Sequence, residues 1–271
     1  METVSENKCF GGTQGVYRHS SDATGTDMTF GLFLPDASGP VPVLFYLSGL
    51  TCTHENAMVK AGAQAHAARH GMALVFPDTS PRGDGVADDA AFDLGQGAGF
   101  YVDATEAPWA PHFRMQSYVL DDLSALLFEQ FPLDAARQAV TGHSMGGHGA
   151  LTLAAKAPGR FRSVSAFSPI CNPVESDWGQ KHFTAYLGSV AAGHAHDASL
   201  LASEGKLDLP ILTDTGTADQ FGPHLRTNAL ADAVAGRADA EVRMQDGYDH
   251  SYFFVATFMG AHVDFHARHL A

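Results

Sequence analysis

The chain has 271 residues, of which 45% are hydrophobic, and it carries a formal net charge of −14. This length suffices for one α/β domain with a sizeable core, and we expect residues 1–271 to form a single domain. No apolar run approaches the roughly 20 residues that cross a bilayer, and nucleic acid binds clustered Lys and Arg, so we expect neither a membrane nor a nucleic-acid partner.

Strand and helix patterns alternate through the first third of the chain. Residues 26–34 alternate polar and apolar side chains, which predicts a strand. Residues 41–47 form a continuous apolar run, typical of a strand buried on both faces. The alanine-rich residues 55–70 predict one helix, and residues 72–76 predict the next buried strand.

A long stretch, residues 77–112, is rich in Gly, Asp and Pro and shows no helix or strand period. Irregular segments of this length in a compact domain are usually functional or mobile. Two interpretations remain open from the sequence, namely one wall of a pocket and an excursion over the surface.

The remainder of the chain continues the alternation. Residues 116–131 predict a strong helix with one apolar face. Further predicted strands are 137–141, 163–167, 211–214 and 241–245, and further helices are 151–156, a region within 179–207, 223–235 and 251–270. Strands that alternate with helices imply a mostly parallel sheet covered on both faces, with ligands at the carboxyl ends of its strands.

The most informative motif is T-G-H-S-M-G-G-H-G-A at residues 141–150. Gly142, Ser144 and Gly146 give the pattern G-x-S-x-G, which describes a nucleophile elbow between a strand and a helix. The pattern alone is a weak signal. Here a β-branched strand pattern precedes it and a helical pattern follows it, so we predict that Ser144 is a nucleophile at the edge of an α/β-hydrolase sheet.

A serine nucleophile needs a base and a carboxylate that orients the base, and α/β-hydrolases supply them in the order Ser, Asp or Glu, His. Asp219 follows the predicted strand 211–214, and His250 follows the last predicted strand. Asp219 alone would also suit a turn or a helix cap, and His250 alone would suit the start of a helix. Together with the elbow, they predict a catalytic triad of Ser144, Asp219 and His250.

The tetrahedral intermediate of such a reaction needs two backbone N–H groups that face the developing oxyanion. One is expected from Met145, the residue after the nucleophile. The other is expected from the loop L-S-G-L-T-C-T at residues 47–53, where Gly49 would let the chain turn so that Leu50 N–H points inward.

Several longer motifs carry a resemblance to a known family. They are L-S-G-L-T-C-T (47–53), T-S-P-R-G (79–83), G-A-G-F-Y-V-D-A-T (97–105), G-H-S-M-G-G-H-G-A-L (142–151), F-S-P-I-C-N-P (167–173) and W-G-Q-K-H-F (178–183). From about Cys9 to the terminal helix the chain resembles the S-formylglutathione hydrolases of the esterase D family. The resemblance implies a cytosolic, commonly homodimeric thioesterase that hydrolyses S-formylglutathione and small aryl and alkyl esters.

The resemblance also implies roles for individual residues. It gives the same triad and the same oxyanion donors, and it adds Cys52 and Trp178 as residues beside the pocket. The family usually has Cys-Pro before this Trp-Gly, whereas this chain has Ser176 and Asp177, a departure that concerns the shape of the loop more than the chemistry.

A formyl group is small, so we expect a tight acyl pocket. Its candidate lining residues are Leu50, Met145, His148 and Trp178. Cys52 has two interpretations, a redox brake that blocks the pocket as a glutathione adduct and a small buried hydrophobic residue.

The chain contains fifteen histidines and three cysteines, the residue types that most often bind metals. We interpret the spaced histidine pairs as solvated surface residues and expect no metal and no cofactor; the pairs are His66 with His70, His194 with His196, and His266 with His269. The scattered cysteines form no disulfide pattern, and the first residues lack a signal-peptide pattern, so we expect a cytoplasmic protein.

Two other functions are compatible with the same sequence. The same fold and triad would serve a general short-chain carboxylesterase or acyltransferase, because the sequence does not show the size of the pocket. A non-catalytic ligand-binding protein of the same fold is the other alternative, since a fold does not determine a function.

Overall fold

The computed structural model describes all 271 residues, and its nine strands form one sheet in the order β1-β2-β3-β5-β4-β6-β7-β8-β9. The strands are β1 (Glu2–Cys9), β2 (Gly12–Ser21), β3 (Thr26–Pro35), β4 (Val41–Leu47), β5 (Ala73–Pro77), β6 (Leu133–Gly142), β7 (Phe161–Phe167), β8 (Ile211–Gly216) and β9 (Ala240–Gln245). All pairs from β5 to β9 are parallel, whereas β1, β2 and β3 pair antiparallel and β3 joins β5 antiparallel. The predicted mostly parallel sheet is confirmed.

The first two strands were not predicted from the sequence. β1 lies at the edge of the sheet and is exposed along almost its whole length, and β2 carries mainly polar and glycine residues. Without a buried face, β1 has no hydrophobic alternation, so the period that reveals a strand is missing. β1 is held by its backbone pairing with β2, and β2 in turn pairs with β3 and buries Tyr17 and His19.

Helices cover both faces of the sheet. They are α1 (His54–Lys60), α2 (Ala63–Arg69), α3 (Met115–Ser117), α4 (Leu123–Gln130), α5 (Met145–Lys156), α6 (Asp177–Leu187), α7 (Ala198–Ser203), α8 (Gly222–Leu225), α9 (Thr227–Ala233) and α10 (Tyr252–Leu270). A π-helical turn, Tyr118–Asp122, joins α3 to α4, and short 3₁₀ turns occupy Pro173–Glu175 and Ala191–His196. None of these helices is long and apolar enough to cross a membrane.

Two of the predicted helices are each split in two. The predicted helix 55–70 is α1 and α2, because Gly62 between them has φ 68°, outside the helical range. The predicted helix 223–235 is α8 and α9, divided at Arg226 with φ 51°. Single left-handed residues break a helix without disturbing its hydrophobic pattern, so composition alone did not reveal them.

The core lies on both sides of the sheet. On one side α5 packs against β6 and β7, and on the other α10 packs against β7 and α2. β4 and β5 are buried at every residue, as predicted for strands covered on both faces. Their carboxyl ends, together with those of β6, β8 and β9, meet at the edge of the sheet that carries the site described next.

Candidate active site

Ser144 occupies a sharp turn between β6 and α5. Its backbone has φ 60° and ψ −120°, a strained conformation for a residue with a side chain. The two flanking glycines have no room for a Cβ, which would lie 2.2 Å from Gly146 O at Gly142 and 2.0 Å from Leu47 O at Gly146. This crowding explains the two glycines of G-x-S-x-G and fixes the side chain of Ser144 at the rim of the sheet.

Asp219 and His250 lie in the loops after β8 and β9 and are hydrogen-bonded to each other. His250 Nδ1 donates to Asp219 Oδ2 at 2.6 Å, and Ser168 Oγ donates to the same oxygen at 2.7 Å. Phe221 N–H donates to Asp219 Oδ1 at 2.9 Å. Burial raises the pKa of Asp219, but the hydrogen bonds from His250 and Ser168 outweigh burial, so its pKa lies below the usual value.

Ser144 and His250 line one cavity of about 280 Å³. Its walls are Gly49, Leu50, Thr51, Cys52, Phe92, His143, Ser144, Trp178, Phe221, His250, Ser251 and Tyr252. No hydrogen bond joins Ser144 Oγ to His250 in this structure. Such bonds are often long in the free enzyme and tighten when substrate binds. Because Nδ1–H is donated to Asp219, Nε2 is left as the nitrogen that can accept a proton.

Aromatic side chains form one wall of this cavity. The ring of Trp178 lies 5.2 Å from that of Phe221 and 6.1 Å from that of Phe92, and its indole stacks on His224 at 4.2 Å. Phe92 belongs to the irregular segment between β5 and α3. Of residues 77–112, Phe92 alone lies in the cavity wall, while others, including Tyr101 and Trp109, are buried in the core.

The loop after β4 passes close to the nucleophile. A Cβ built on Gly49 would lie 3.1 Å from the Ser144 Cβ, so a larger residue there would crowd the serine. Leu50 lines the cavity, and its backbone N–H donates to no acceptor in the protein. Met145 is the first residue of α5, whose N-terminal N–H groups carry partial positive charge.

Two of the residues expected to line the acyl pocket do not line it. The Met145 side chain is completely buried, and His148 lies one helical turn beyond Ser144, turned into the core beside Phe100 and Phe183. Burial lowers the pKa of His148 to about 4, and neither ring nitrogen has a hydrogen-bond partner. The prediction for His148 as a pocket residue is therefore wrong, whereas Leu50, Cys52 and Trp178 do lie in the cavity wall.

His143 is a cavity residue that the sequence did not indicate. Its ring centroid lies 4.5 Å from that of His250, and neither of its nitrogens has a hydrogen-bond partner. Burial and the neighbouring His250 hold the pKa of His143 well below its usual value, so the ring is neutral. A neutral imidazole here adds no positive charge against a protonated His250.

Cys52 is half-buried in the cavity wall, and all three cysteines are free. Burial raises the pKa of its thiol, which lowers the fraction of reactive thiolate at neutral pH. Cys171 is fully buried. At the departure from the family pattern, Ser176 caps α6 by accepting a hydrogen bond from Gly179 N–H at 3.2 Å, and Asp177 begins the helix.

The expectation that the paired histidines are surface residues is wrong for His266. Its ring is completely buried and hydrogen-bonded to Ser163 Oγ and Ser165 Oγ, each at 2.8 Å. His262, one helical turn earlier, lies in the same buried network and contacts Asp214 Oδ2 at 2.9 Å. His262 and His266 lie on the face of α10 that packs against the sheet, where Ser163 and Ser165 of β7 hydrogen-bond their ring nitrogens.

A parallel sheet covered by helices, with a serine on an elbow and a histidine–carboxylate pair beside it, defines a serine hydrolase of the α/β-hydrolase fold. Residues 21–265 match the family model described as a putative esterase. The S-formylglutathione hydrolase of Paracoccus denitrificans is 63% identical over 99% of this chain and 98% of its own length, and that of Mus musculus is 46% identical over 100% and 99%. A solved S-formylglutathione hydrolase from Agrobacterium tumefaciens, 45% identical, superposes with a TM-score of 0.96 over 100% of both chains. The chain belongs to the S-formylglutathione hydrolase family of esterases.

Proposed function

We propose that this enzyme hydrolyses S-formylglutathione to glutathione and formate through a formyl-serine intermediate. The observation that carries the proposal is the 63% identity to an S-formylglutathione hydrolase over 99% of the chain. The arrangement of Ser144, His250 and Asp219 at one cavity supports the same chemistry.

In this mechanism His250 takes the proton of Ser144 as the serine oxygen attacks the formyl carbon. The N–H groups of Leu50 and Met145 hold the oxyanion of the tetrahedral intermediate. The carbon–sulfur bond then breaks, and the glutathione thiolate leaves with the proton from His250. Water, deprotonated by His250, attacks the formyl-serine. The bond between the formyl carbon and Ser144 Oγ then breaks, His250 returns the proton to the serine oxygen, and formate leaves. Asp219 holds the imidazole in the required tautomer and stabilises its protonated form.

The dimensions of the cavity suit a small acyl group. Its volume of about 280 Å³ lies near the lower limit of ligand pockets, and Leu50, Trp178 and Phe221 restrict it with apolar surface. The glutathionyl part of the substrate would extend towards the open side.

The experiment that tests the proposal compares kcat/KM across formyl-, acetyl- and butyrylglutathione and p-nitrophenyl acetate. We expect formylglutathione to be the best substrate by at least about tenfold. A general short-chain carboxylesterase would instead hydrolyse the nitrophenyl ester as well as or better than the formyl thioester, and that result would overturn the proposed substrate.

We also infer that the enzyme is a homodimer in the cytoplasm and that residues 1–271 form one domain. The family resemblance supports the dimer and the cytoplasm, the three unpaired cysteines also support the cytoplasm, and the single sheet supports one domain. Light scattering after size exclusion tests the dimer, because it distinguishes the 28.7 kDa chain from twice that mass.

A further inference from the structure

The loop that carries Leu50 is fixed by side chains from a distant motif. The backbone carbonyl of Cys52 accepts hydrogen bonds from Thr79 Oγ1 at 2.5 Å and from Arg82 Nη2 at 2.9 Å. Both donors belong to T-S-P-R-G, residues 79–83, which begin after β5 and Asp78. Neither side chain lines the catalytic cavity, and the proposed mechanism gives neither of them a role.

Arg82 is itself held in place by Asp78. Its Nε contacts both carboxylate oxygens of Asp78, at 3.0 and 3.1 Å, while Asp78 Oδ1 also accepts from Thr79 N–H at 2.6 Å. The Asp78 side chain is only 9% exposed. A planar guanidinium can bond the carboxylate on one side and the Cys52 carbonyl on another, which the single ammonium of a lysine does less well.

The same irregular segment holds the loop at two further points. Thr51 N–H donates to Gly97 O at 2.9 Å, and Gly97 N–H donates to Ser80 Oγ at 2.7 Å. The Tyr101 hydroxyl donates to Ser48 O at 3.0 Å. Residues on both sides of Leu50 are therefore bound to the segment between β5 and α3.

The conformation of this loop requires such support. Thr51 has φ 66°, in the left-handed region that β-branched residues rarely adopt. A residue in this region persists only where its surroundings hold it, at a cost of about 1–3 kcal/mol. Relaxation of Thr51 would rotate the peptide between Leu50 and Thr51, and the backbone of Leu50 would shift with it, moving its N–H relative to Ser144.

We propose that Thr79 and Arg82 are positioning residues that hold the loop 48–53 so that Leu50 N–H faces the oxyanion. The proposal rests on the role of Leu50 in the proposed function. The proposal assigns a role to the T-S-P-R-G motif and to the hydrogen bonds that join the irregular segment to the loop. The two residues act on the rate of the chemical step through the geometry of another residue's backbone.

The test uses Thr79→Val, which removes one hydroxyl at nearly constant volume, and Thr79→Ser, which keeps it. Outright loss of an oxyanion donor costs about 10²–10³ in kcat, so a displaced donor is expected to cost about tenfold. With p-nitrophenyl acetate we expect Thr79→Val to lower kcat about tenfold with KM within twofold of the wild type. Binding of a trifluoromethyl ketone, which forms an oxyanion with the serine, should weaken in parallel, and Thr79→Ser should restore both.

Arg82→Lys is the second variant, and it keeps the counter-charge for Asp78 while losing the forked geometry. We expect it to behave like Thr79→Val, with an unchanged pH profile because His250 and Asp219 are untouched. Folded variants with wild-type kcat and wild-type ketone affinity would overturn the proposal, as would a loss confined to KM. The nitrophenyl ester separates this result from the substrate assignment, which fails only if the wild type does not prefer S-formylglutathione.

Discussion

Ser168 Oγ donates to Asp219 Oδ2, the same carboxylate oxygen that accepts the hydrogen bond of His250. Ser168 lies just after β7 with φ 43°, and its own N–H donates to Asp214 O at 2.7 Å, so the turn presents its hydroxyl to the carboxylate. The histidine is thus oriented by a carboxylate that is itself anchored from the neighbouring strand. The relative position of Asp219 and His250 is therefore fixed by a residue at the end of β7 as well as by the two loops that carry them.

The first prediction follows from that contact. Ser168→Ala removes a charge-assisted hydrogen bond that orients Asp219 and, through it, His250. If about 1.5 kcal/mol of this orientation is lost in the transition state, kcat falls about tenfold. The acidic limb of the kcat/KM profile should also move to higher pH, because the carboxylate charge is then shared with one donor fewer. Ser203→Ala, in an exposed position on α7, is the control and should match the wild type. An unchanged profile with unchanged kcat would contradict the role of Ser168.

The second prediction separates two nearby carboxylates. Asp219→Asn should lower kcat about 10³–10⁴-fold, because an amide favours the wrong tautomer of His250. Asp249 is adjacent to His250 in the chain, but its side chain bonds only Ser251, at 2.6 and 3.0 Å. Asp249→Asn should therefore keep wild-type turnover. Equal losses in the two variants, measured as kcat at neutral pH, would mean that the wrong carboxylate has been assigned.

The third prediction concerns stability at acidic pH. Burial lowers the pKa of His148 from 6.5 to about 4, so the unfolded chain binds a proton that the folded chain does not. The stabilisation is present above pH 6.5 and is lost as the pH falls towards 4, by up to about 1.4 kcal/mol per pH unit. Burial also lowers the pKa of other histidines, such as His182 and His266, which add to the same dependence. Urea unfolding between pH 7 and 4 should show the combined slope, and His148→Gln should reduce it by the share of His148.

The exposed His194 provides the matched control for that measurement, since His194→Gln should leave the slope unchanged. If His148→Gln and His194→Gln change the slope of the unfolding free energy against pH by the same amount, the buried, neutral state of His148 does not contribute to that slope.

The fourth prediction distinguishes the two interpretations of Cys52. Because the thiol lies in the cavity wall, alkylation or a glutathione adduct should block the site and inactivate the wild type. Burial raises its pKa, so inactivation should be slow at neutral pH and accelerate as the pH rises. Cys52→Ser should stay active under the same treatment. If the reagent inhibits both proteins to the same extent, Cys52 is only a small buried residue.

Hydrophobic patterning was sufficient to predict the strands and helices whose side chains are buried. The unbroken apolar run of β4 gave its bounds, and the chain order of Ser144, Asp219 and His250 singled out residues that the fold brings to one edge of the sheet. The pattern failed where burial does not determine conformation. The exposed edge strand β1 carries no period, and the left-handed Gly62 interrupts a helix whose composition is uniform.

The supporting contacts were beyond the reach of the sequence for a different reason. Ser168 and Thr79 act through single hydrogen bonds to groups on distant segments, and nothing in the local pattern indicates such a partner. His148 illustrates a different error. Its closeness to Ser144 in the chain suggested that it lines the pocket, whereas α5 directs its ring into the core. Residues two to four positions from a nucleophile on a helix have to be placed by helix geometry.

The most direct test of the central claim is the turnover number of Ser144→Ala with S-formylglutathione, measured beside Ser203→Ala. Without the hydroxyl no formyl-enzyme can form, so we predict a loss of at least about 10⁴-fold in kcat for Ser144→Ala and none for Ser203→Ala. A Ser144→Ala protein that retains kcat within tenfold of the wild type would contradict catalysis by this serine.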